Sequence, residues 1–597
     1  MIEKIPHRAV NRLGSVLREC LLTYAGAELR ADLMAGVVVG IVALPLSMAL
    51  AIASGVPPQH GLYTAIVGGF IIAVLGGSRV QVSGPTAAFV VVLAPIAARF
   101  GIAGLLVSGA MAGFLLLAMG FSGMGRLIEF VPHPVTTGFT AGIAVVIATL
   151  QVKDLLGLTV GALPDHYLDK VRVLAQALPT LRFADLATGL FTLAALVLLP
   201  RFSRRVPAPL VALAAAAILA YGLTRVDPDF SVATINTRFS HQQDGVEVPG
   251  IPRLPPRPLL PWRLAGANGQ PLGLSSSLAY ELLPSAFAIA MLGAIESLLS
   301  AVVADGMTGG RHDPDAELMA QGIGNIVAPL FGGIAATGAI ARTATNIRAG
   351  ARSPLAAAFH ALFVLAAVLG LAPLLGYLPM ASLAALLLVV AWNMSDYHHF
   401  VRLLRISARS DLAVLLGCFF LTVVFDMTVA VTAGIVMAAL LFMRQMADVS
   451  GVTLVGPGHH PAITTPLPRG IVVYDLAGPL FFGAAHKAMV TLRTVERRKV
   501  RVVVLDLEDV PALDATGLVA LESLVAELNA GGIKVILVGI QTQPLRSLAR
   551  AGWRNRKGRL RIFRSVKRGL ELARRTVERE TEAETARERP ADAAPRD

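Results

Sequence analysis

The chain of 597 residues is 55% hydrophobic and only 15% charged, whereas soluble proteins average roughly 45–50% apolar and about 25% charged residues. A net charge of +13 with only 6% aromatic residues favours the basic inner loops of a membrane protein over a nucleic-acid partner. The two cysteines, Cys20 and Cys418, are too few for a disulfide framework or a four-ligand zinc site.

Long apolar segments dominate the first three quarters of the chain. Residues 1–32 contain neither an apolar core nor a small-residue cleavage site, which predicts a cytoplasmic segment rather than a secretory signal. Apolar segments fill 33–445, except that 224–280 contains eight prolines and no periodic pattern, which indicates an extracytoplasmic loop. At about 25 residues per span and loop, the remainder corresponds to roughly fourteen crossings, seven on each side of this loop.

The basic residues predict the orientation. With the N-terminus inside, every even-numbered crossing ends on the inner side, where short loops are rich in Lys and Arg. The basic residues that fall there are Arg79, Arg126, Arg201, Arg204, Arg205, Arg348, Arg352, Arg402, Arg405, Arg409 and Arg444, and Arg99 is an exception. We expect a multi-pass protein of the inner (cytoplasmic) membrane, embedded in the lipid bilayer, with both termini in the cytoplasm.

The two halves of the apolar region resemble each other at an offset of 256 residues. Leu62 then matches Leu318, Gly68 matches Gly324, and the glycine pair at 76–77 matches the pair at 332–333. Because seven crossings are an odd number, the second half must enter the membrane from the opposite side. The pattern predicts an inverted repeat, on which many secondary transporters are built.

The pattern changes after residue 445. Short β-branched runs at 471–476, 500–507 and 533–540 predict strands, and an amphipathic run at 513–530 predicts a helix. These elements indicate a small cytoplasmic α/β domain over 465–573. Residues 574–597 are rich in Glu, Arg, Ala and Pro without an apolar pattern, and they are predicted to form a disordered tail.

Several enzyme motifs are missing from the sequence. No Gly-Lys dipeptide occurs, so the chain has no Walker A phosphate loop, and neither HExxH nor GxSxG is present. We therefore predict neither an enzyme nor an ATP-driven pump, and no cofactor or metal. The energy for transport should come from an ion gradient or from the gradient of the substrate itself.

Two short helices are predicted to begin inside the membrane. Gly84-Pro85-Thr86-Ala87 precedes an apolar run of 13 residues, 86–98, which is too short to cross. A second start lies at 337–343. Two such starts facing each other would direct unpaired N–H groups and positive dipole ends at one point, which predicts an anion site. Arg342 would add a positive charge there, although it could instead extend to the membrane interface.

Glu296 lies within a long apolar run, 290–300. An intramembrane carboxylate costs at least a few kcal/mol and is by default a functional residue. We expect Glu296 to carry protons, to pair with Arg342, or both. The acidic group around His312, Asp313, Asp315 and Glu317 could suggest a metal, but helix capping and charged first-turn residues explain it better.

Several separated segments together resemble the SulP (sulfate permease) family of anion transporters. They are Gly55-Val-Pro-Pro-Gln-His-Gly-Leu-Tyr63, Gly84-Pro-Thr-Ala87, Pro134-Val-Thr-Thr-Gly-Phe-Thr-Ala-Gly142, and Ile295-Glu-Ser-Leu-Leu-Ser300 with Ala304-Asp305. Residues 506–517 resemble the core of the STAS domain that follows such transporters. The resemblance covers about 25–570. It implies two interlocked seven-helix repeats, divided into a core and a gate, commonly assembled as a homodimer.

The resemblance also implies roles for single residues. By this correspondence, the anion pocket would be lined by Leu46, Leu50, Thr86, Ala87, Ala341 and Arg342. Glu296 and Ser300, with the backbone of Gly338 and Ala339, match positions that hold sodium in bicarbonate-transporting relatives. Those relatives have Asp where this chain has Glu296, which favours proton over sodium coupling. Leu46 and Leu50 replace the Gln and the aromatic residue found in many members, so the pocket is less polar than in those relatives.

In the STAS-like domain, Asp514 and Thr516 match the loop in which anti-sigma-factor antagonists carry a phosphorylatable hydroxyl. Phosphorylation of Thr516 would place negative charge at the start of a helix. The alternative is that Thr516 only caps this helix.

Together these features predict a secondary active transporter of small anions, proton-coupled and acting by alternating access. Sulfate is the first expected substrate, followed by bicarbonate and dicarboxylates. A passive anion channel or voltage-responsive motor of the same fold, and a sensor that signals through the C-terminal domain, remain alternatives. A nucleobase permease would not normally carry the STAS-like segment.

Overall fold

The fold is taken from a computed structural model of the chain. It describes residues 12–425 apart from 23, 127–131, 162, 165, 203–206, 228–229, 244–245, 268 and 274. Beyond these it describes 433–434, 436–437, 439–441 and 443, and 451–588 apart from 456–462, 464–465, 481–499 and 557–558. The chain divides into two compact units, Met1–Val436 and Met437–Asp597.

The first half of the larger unit is helical. Its helices are Ser15–Leu22 (α1), Gly26–Ala53 (α2), Pro58–Tyr63 (α3), Gly69–Leu75 (α4), Ala87–Phe121 (α5), His133–Leu155 (α6), Tyr167–Gln176 (α7), Phe183–Phe202 (α8) and Ala208–Val226 (α9). A π-helical stretch, Thr64–Gly68, joins α3 and α4. Together these three form one apolar element of 18 residues.

The second half is built in the same way. Its helices are Ile235–Arg238 (α10), Ser276–Thr308 (α11), Pro314–Val327 (α12), Ile340–Arg348 (α13), Leu355–Leu375 (α14), Met380–Ser395 (α15), Tyr397–Ile406 (α16) and Arg409–Val424 (α17). Within the described residues, nine helical segments are long and apolar enough to cross a membrane.

Shorter apolar helices complete the expected pattern of crossings. Seven apolar helical segments precede the proline-rich loop, when α3–α4 counts as one segment and α5 as two. Six helices counted as crossings follow the loop in the described part of the chain, α11–α15 and α17, of which the short α13 is not apolar. Helical residues between 433 and 443 stand where a seventh is expected. The structure agrees with the predicted polytopic fold of two seven-helix halves.

The helices pack into two groups. The first contains α2–α5 and α11–α14, with close packing of α12 and α11 on α5 and of α14 on α2. The second contains α6, α8, α9, α15 and α17, with α15 and α17 packed on α6. These groups match the division into a core and a gate that the family resemblance implies.

Helix α5 is broken at Gly101, which has φ 70° and ψ −173°. The break separates a first segment of 14 residues, 87–100, which rises only about 21 Å and cannot cross the ~30 Å hydrocarbon core. The structure confirms the short helix that was predicted at 86–98. A Cβ added at Gly101 would lie 2.7 Å from the backbone nitrogen of Ala267, so both conformation and space require glycine.

Replacing Gly101 by alanine should therefore destabilise the protein by about 3 kcal/mol, because a positive φ and a steric clash each cost about 1–2 kcal/mol. The matched control is Gly123→Ala, since Gly123 has φ 72° but no atom within 4 Å of an added Cβ. Thermal unfolding of both variants in the same detergent measures the difference. Equal losses of stability in the two variants would show that the loop at Ala267 moves to accommodate the added methyl group without destabilising the protein.

A two-residue strand pair connects the two repeats. Ser83–Gly84 (β1) pairs antiparallel with Thr337–Gly338 (β4), so that Ser83 lies opposite Gly338. Equivalent residues in this pair are 254 apart, not 256 as predicted. The offset of 256 holds between α3 and α12, which begin at Pro58 and Pro314. It fails afterwards because five residues separate the glycine pair 76–77 from β1, and only three separate the pair 332–333 from β4.

The predicted boundaries of two segments need correction. Helix α2 begins at Gly26 rather than at 33. It includes the charged Asp32, which is fully buried and accepts hydrogen bonds from Tyr24 and Ser353. The loop predicted at 224–280 is narrower, since α9 ends at Val226 and α11 begins at Ser276. It also contains regular structure, because a hairpin of Ser240–Gln243 (β2) and Val246–Pro249 (β3) lies within it.

The smaller unit contains a five-stranded sheet with the order β5-β6-β7-β8-β9. Its strands are Gly451–Leu454 (β5), Ile471–Ala477 (β6), Val502–Asp506 (β7), Lys534–Val538 (β8) and Leu560–Ile562 (β9). The first pair is antiparallel and the others are parallel. The helices are Ala515–Ala530 (α18), Thr542–Arg550 (α19) and Val566–Glu588 (α20). The three predicted strands and the predicted helix of this region are present.

The predicted disorder from residue 574 is wrong as far as Glu588, because α20 continues to that residue. Val566, Leu570, Ala573 and Val577 are buried in one cluster with residues of β6, β7 and β8, and their spacing of four, three and four is that of one helix face. The prediction failed because its boundary at residue 574 lies within this buried helix face, between Ala573 and Val577. Glu580 pairs with Lys534 and Glu584 pairs with Arg501. Residues 589–597 lie outside the described residues.

Candidate anion site

The starts of α5 and α13 meet at the β1–β4 pair. Thr86 and Ala339 are the residues that precede the two helices, and β1 and β4 come directly before them. Because the strands pair antiparallel, they bring the two helix N-termini to one region. The first N–H groups of each helix lack intrahelical acceptors, and the helix dipoles add partial positive charge.

A cavity of about 890 Å³ lies at these helix starts. It is lined by all six residues predicted for the pocket and by three of those predicted for ion coupling: Leu46, Leu50, Thr86, Ala87, Ala341 and Arg342, and Glu296, Gly338 and Ala339. These residues come from α2, α5, α11, α13 and β4. The structure thus brings together residues that are up to 296 positions apart in the sequence.

Arg342 is the main positive charge in this cavity. Its side chain is only 3% exposed, and Nη2 donates a hydrogen bond to the carbonyl oxygen of Pro85. Nε and Nη1 have no hydrogen-bond partner among the described residues. A Cβ on Gly84 would lie 2.7 Å from Nη1, so the absent side chain makes room for the guanidinium. An uncompensated buried charge is costly, and a bound anion would relieve that cost.

Glu296 lines the same cavity. Its Oε2 accepts a hydrogen bond of 2.8 Å from Oγ1 of Thr86, the residue that precedes α5. It makes no salt bridge with Arg342 within the described structure, since two of the three guanidinium nitrogens are unpartnered and the third binds Pro85. The direct pairing of Glu296 with Arg342 that we considered is therefore absent here.

Ser300 does not line the cavity, unlike the other predicted ion-coupling residues. It is fully buried, and its Oγ lies 3.1 Å from Oγ1 of Thr343 on α13. The same Thr343 oxygen accepts a hydrogen bond from the backbone nitrogen of Val82. Ser300 therefore supports the junction of α13 with the segment before β1.

Sequence reasoning missed a polar face of α6. The same cavity is lined by His133, Thr136, Thr137 and Thr140. Their spacing over one or two turns on an apolar helix was a usable signal, but the segment 134–142 served only to recognise the family. The cavity continues to Asn393 and Asp396 at the end of α15 and to His312 and Arg348.

Glu317 lies in the first turn of α12, as predicted, and its side chain also joins a buried network. It is 1% exposed, and its carboxylate accepts hydrogen bonds from the backbone nitrogen of Gly77 and the side chains of Gln81, Ser297 and Gln321, at 2.9–3.0 Å. Gln321 also donates to Oγ of Ser83 in β1. This buried network, Gly77–Gln81–Ser297–Glu317–Gln321, lies directly behind the β1–β4 pair.

The other members of the acidic group are caps and ion pairs. Oδ1 of Asp313 accepts hydrogen bonds from the backbone nitrogens of Asp315 and Ala316, which caps α12 as predicted. Asp315 pairs with Arg12 at 2.9 Å. His312 lies 2.7 Å from Asp305. Each of these side chains thus has a local structural partner.

In the smaller unit, the cap of α18 is Asp514, whose Oδ1 accepts a hydrogen bond of 2.7 Å from the backbone nitrogen of Gly517. The alternative role suggested for Thr516, as the cap, is therefore wrong. Thr516 lies in the first turn and is exposed, so its hydroxyl is accessible from solvent.

The chain matches models of two known families. The Sulfate permease family model matches residues 29–418, and the STAS domain model matches residues 462–568. The protein YvdB of Bacillus subtilis (strain 168) is 37% identical over 532 residues, which cover 89% of this chain and 95% of YvdB. The bicarbonate transporter BicA of Picosynechococcus sp. is 28% identical, over 87% of this chain and 90% of BicA.

A solved structure shows the same fold. The murine Solute Carrier 26 family member A9 anion transporter, in its inward-facing state, superposes with a TM-score of 0.80 at 19% identity, over 95% of this chain and 94% of that one. Coverage of both units by one structure agrees with the transmembrane helices and the C-terminal sheet described above. The chain therefore belongs to the sulfate permease family, as a multi-pass membrane anion transporter with a C-terminal STAS domain.

Proposed function

We propose that the protein is a proton-coupled secondary active transporter of small anions, with sulfate as the first substrate. The anion binds between the starts of α5 and α13, and Glu296 carries the coupled proton. The core group of helices moves against the gate group to give alternating access. The protein acts as a homodimer in the cytoplasmic membrane, with both termini and the STAS domain in the cytoplasm.

The observation that carries this proposal is the buried guanidinium of Arg342, two of whose nitrogens have no hydrogen-bond partner in the described part of the chain. Planar guanidinium groups donate two parallel hydrogen bonds to oxyanions. The helix N-termini at Ala87 and Ile340 add partial positive charge at the same place. These features favour a compact oxyanion over a neutral or cationic substrate.

Sulfate and bicarbonate both fit this chemistry. The family name favours sulfate, whereas the similarity to BicA supports bicarbonate as the second candidate. Dicarboxylates would need additional cations, and Arg348, which also lines the cavity, supplies one. Uptake of radiolabelled sulfate is measured in liposomes with purified protein while each unlabelled anion competes. The degree of inhibition ranks sulfate, bicarbonate and dicarboxylates as substrates.

Proton coupling is supported by the surroundings of Glu296. Its carboxylate contacts the residue at the start of α5, so a change of its protonation changes the charge next to the anion. Sodium coupling would use the hydroxyl of Ser300, but that hydroxyl is engaged with Thr343 outside the cavity. We therefore propose the proton, rather than sodium, as the coupling ion.

The Glu296→Gln variant should lose accumulation of sulfate driven by a pH gradient, while it retains counterflow of labelled against unlabelled sulfate. Gln keeps the shape and a hydrogen-bond acceptor for Thr86 but cannot release a proton. The matched control is Glu281→Gln on the same helix, because Glu281 is 52% exposed and pairs with Arg99. Gradient-driven accumulation that persists in Glu296→Gln contradicts the proposal, and uptake without saturable counterflow indicates a channel.

The STAS domain is proposed as a regulatory module, with Asp514 and Thr516 as its switch. A phosphate on the exposed Thr516 would lie in the first turn of α18, where the helix dipole stabilises negative charge. Asp514, which caps the same helix, would then lie beside a second negative group.

A further inference from the structure

A second cavity of about 700 Å³ opens beside the anion cavity, between α8 and α15. Its walls include Leu193, Val197 and Pro200 of α8, and Leu388 and Trp392 of α15. At its inner end lies Arg342. We name this space the lateral groove.

The groove opens on the surface that faces the bilayer. Val197 and Trp392, which line it, are 49% and 66% exposed, and both belong to apolar helices of membrane-spanning length. In such helices, the large exposed apolar side chains are those that contact lipid. Its outer part is therefore accessible from the hydrocarbon core and not only from water.

The groove is continuous with the anion site. Leu46, Ala341 and Arg342 line both cavities. Arg342 is the single charged side chain among the described residues that line the groove. Its Nε and Nη1, which no described residue binds, provide donors for a negative headgroup. One end of this space therefore suits an anion, and the remainder suits an aliphatic chain.

We propose that the lateral groove binds a single-chain amphipathic anion of the fatty-acid type, taken from the bilayer. Its carboxylate would pair with Arg342, and its chain would lie between α8 and α15. Such a molecule would exclude small anions from the site, because both use the same guanidinium. The inference rests on the proposed function only in the assignment of Arg342 as the anion-binding group.

The physical basis is charge pairing rather than chain burial. Transfer of an alkyl chain from lipid into an apolar groove gains little, since lipid tails are as apolar as leucine. The headgroup supplies the selectivity, because a carboxylate gains charge-assisted hydrogen bonds in a medium of low dielectric constant. An uncharged alcohol of the same length should therefore bind much more weakly.

Photocrosslinking in lipid nanodiscs tests the proposal. Purified protein in phosphatidylcholine nanodiscs is illuminated with a diazirine analogue of dodecanoic acid, or with the corresponding alcohol, and the labelled peptides are mapped by mass spectrometry. We expect the acid to label the segments around Leu193 and Leu388 about tenfold more than the alcohol does, as for one strong charge-assisted contact.

Two variants separate the groove from general lipid contact. Leu193→Trp fills the groove and should lower the labelling by the acid about tenfold, and Leu388→Trp from the opposite wall should act in the same way. The control is Leu198→Trp, because Leu198 is 45% exposed on the same helix but does not line the groove. Arg342→Gln should reduce labelling by the acid to the level of the alcohol.

Equal labelling by acid and alcohol, or labelling that Leu193→Trp leaves unchanged, would overturn the inference. Sulfate-induced thermal stabilisation, measured in the three Trp variants, shows that the fold and the small-anion site persist. For Arg342→Gln, which removes an anion-binding group, thermal unfolding without anion shows that the fold persists. If sulfate fails to stabilise the wild-type protein but the acid still labels it in an Arg342-dependent way, the proposed substrate is wrong, whereas the inference about the lateral groove is supported. If sulfate stabilises the wild-type protein but the acid does not label it, only the inference about the lateral groove is contradicted.

Discussion

Replacing Arg342 by alanine is expected to weaken anion binding by about thirtyfold or more, because truncating one partner of a buried charge pair costs about 2–5 kcal/mol. Anion affinity is measured by calorimetry with sulfate and bicarbonate on purified protein. Arg342→Lys should recover only part of the affinity, since one ammonium group cannot bind the Pro85 carbonyl and an oxyanion with the fork geometry of guanidinium.

The same substitution should not destabilise the anion-free protein. Arg342 is 3% exposed, and two of its nitrogens have no hydrogen-bond partner among the described residues, so its removal eliminates a buried charge that is only partly compensated. We expect the unfolding temperature without anion to stay level or rise, and the increase caused by sulfate to disappear. A large loss of stability without anion would show that Arg342 is a structural cation held by contacts inside the protein.

The matched control lies on the same helix. Arg348 is exposed and also lines the cavity, so Arg348→Ala should lower the affinity by less than about fivefold, the range of an exposed charge pair. Equal effects of the two substitutions would indicate attraction by net charge instead of a defined site at the helix starts.

Replacing Glu317 by alanine is expected to cost about 3–5 kcal/mol of stability, although this residue does not line the anion cavity. The substitution leaves four buried donors without their acceptor, and removal of one member of a buried charged network has a cost of this size. Since Gln321 also donates to Ser83 in β1, we expect the helix starts to lose their relative position and anion binding to weaken.

Thermal unfolding and sulfate calorimetry on the same preparation measure both effects. Glu317→Gln keeps the shape but exchanges an acceptor oxygen for a donor, so it should give an intermediate loss. The exposed Glu281, paired with Arg99 at 3.7 Å, provides the control, because Glu281→Ala should change stability by at most about 1 kcal/mol. Full affinity in a Glu317→Ala protein that remains folded would show that β1–β4 pairing alone positions the site.

Many features of the site could be predicted from local sequence. Gly84-Pro85-Thr86-Ala87 predicts a helix start because proline suits the first turn and glycine admits close approach. The 13-residue run after it predicts a helix too short to cross, and the structure breaks that helix at Gly101. These properties depend on neighbouring residues only, and the family resemblance rested on the same kind of segment.

Two acids in the second half show where such reasoning stops. Glu296 and Glu317 both lie on helices, yet Glu296 faces the cavity and contacts Thr86, while Glu317 is enclosed by donors from α11, α12 and the segment before β1. Their roles depend on which distant groups surround each carboxylate. Spacing along one helix does not contain that information. It predicted that Glu317 lies in the first turn of α12, but not the buried network around its carboxylate. The family resemblance placed Ser300 at the ion site, whereas the structure places it outside the cavity.

The sequence by itself determined the membrane location, the two-part organisation, the family and the positions of the short helices, because hydrophobic length, turn residues and motifs are local properties. Only the tertiary structure decided the register of the repeats at the strand pair, the isolation of the Arg342 guanidinium and the existence of the lateral groove. Each of these depends on contacts between residues separated by tens to hundreds of positions, and their free energies are set by burial and hydrogen-bond partners that the fold supplies.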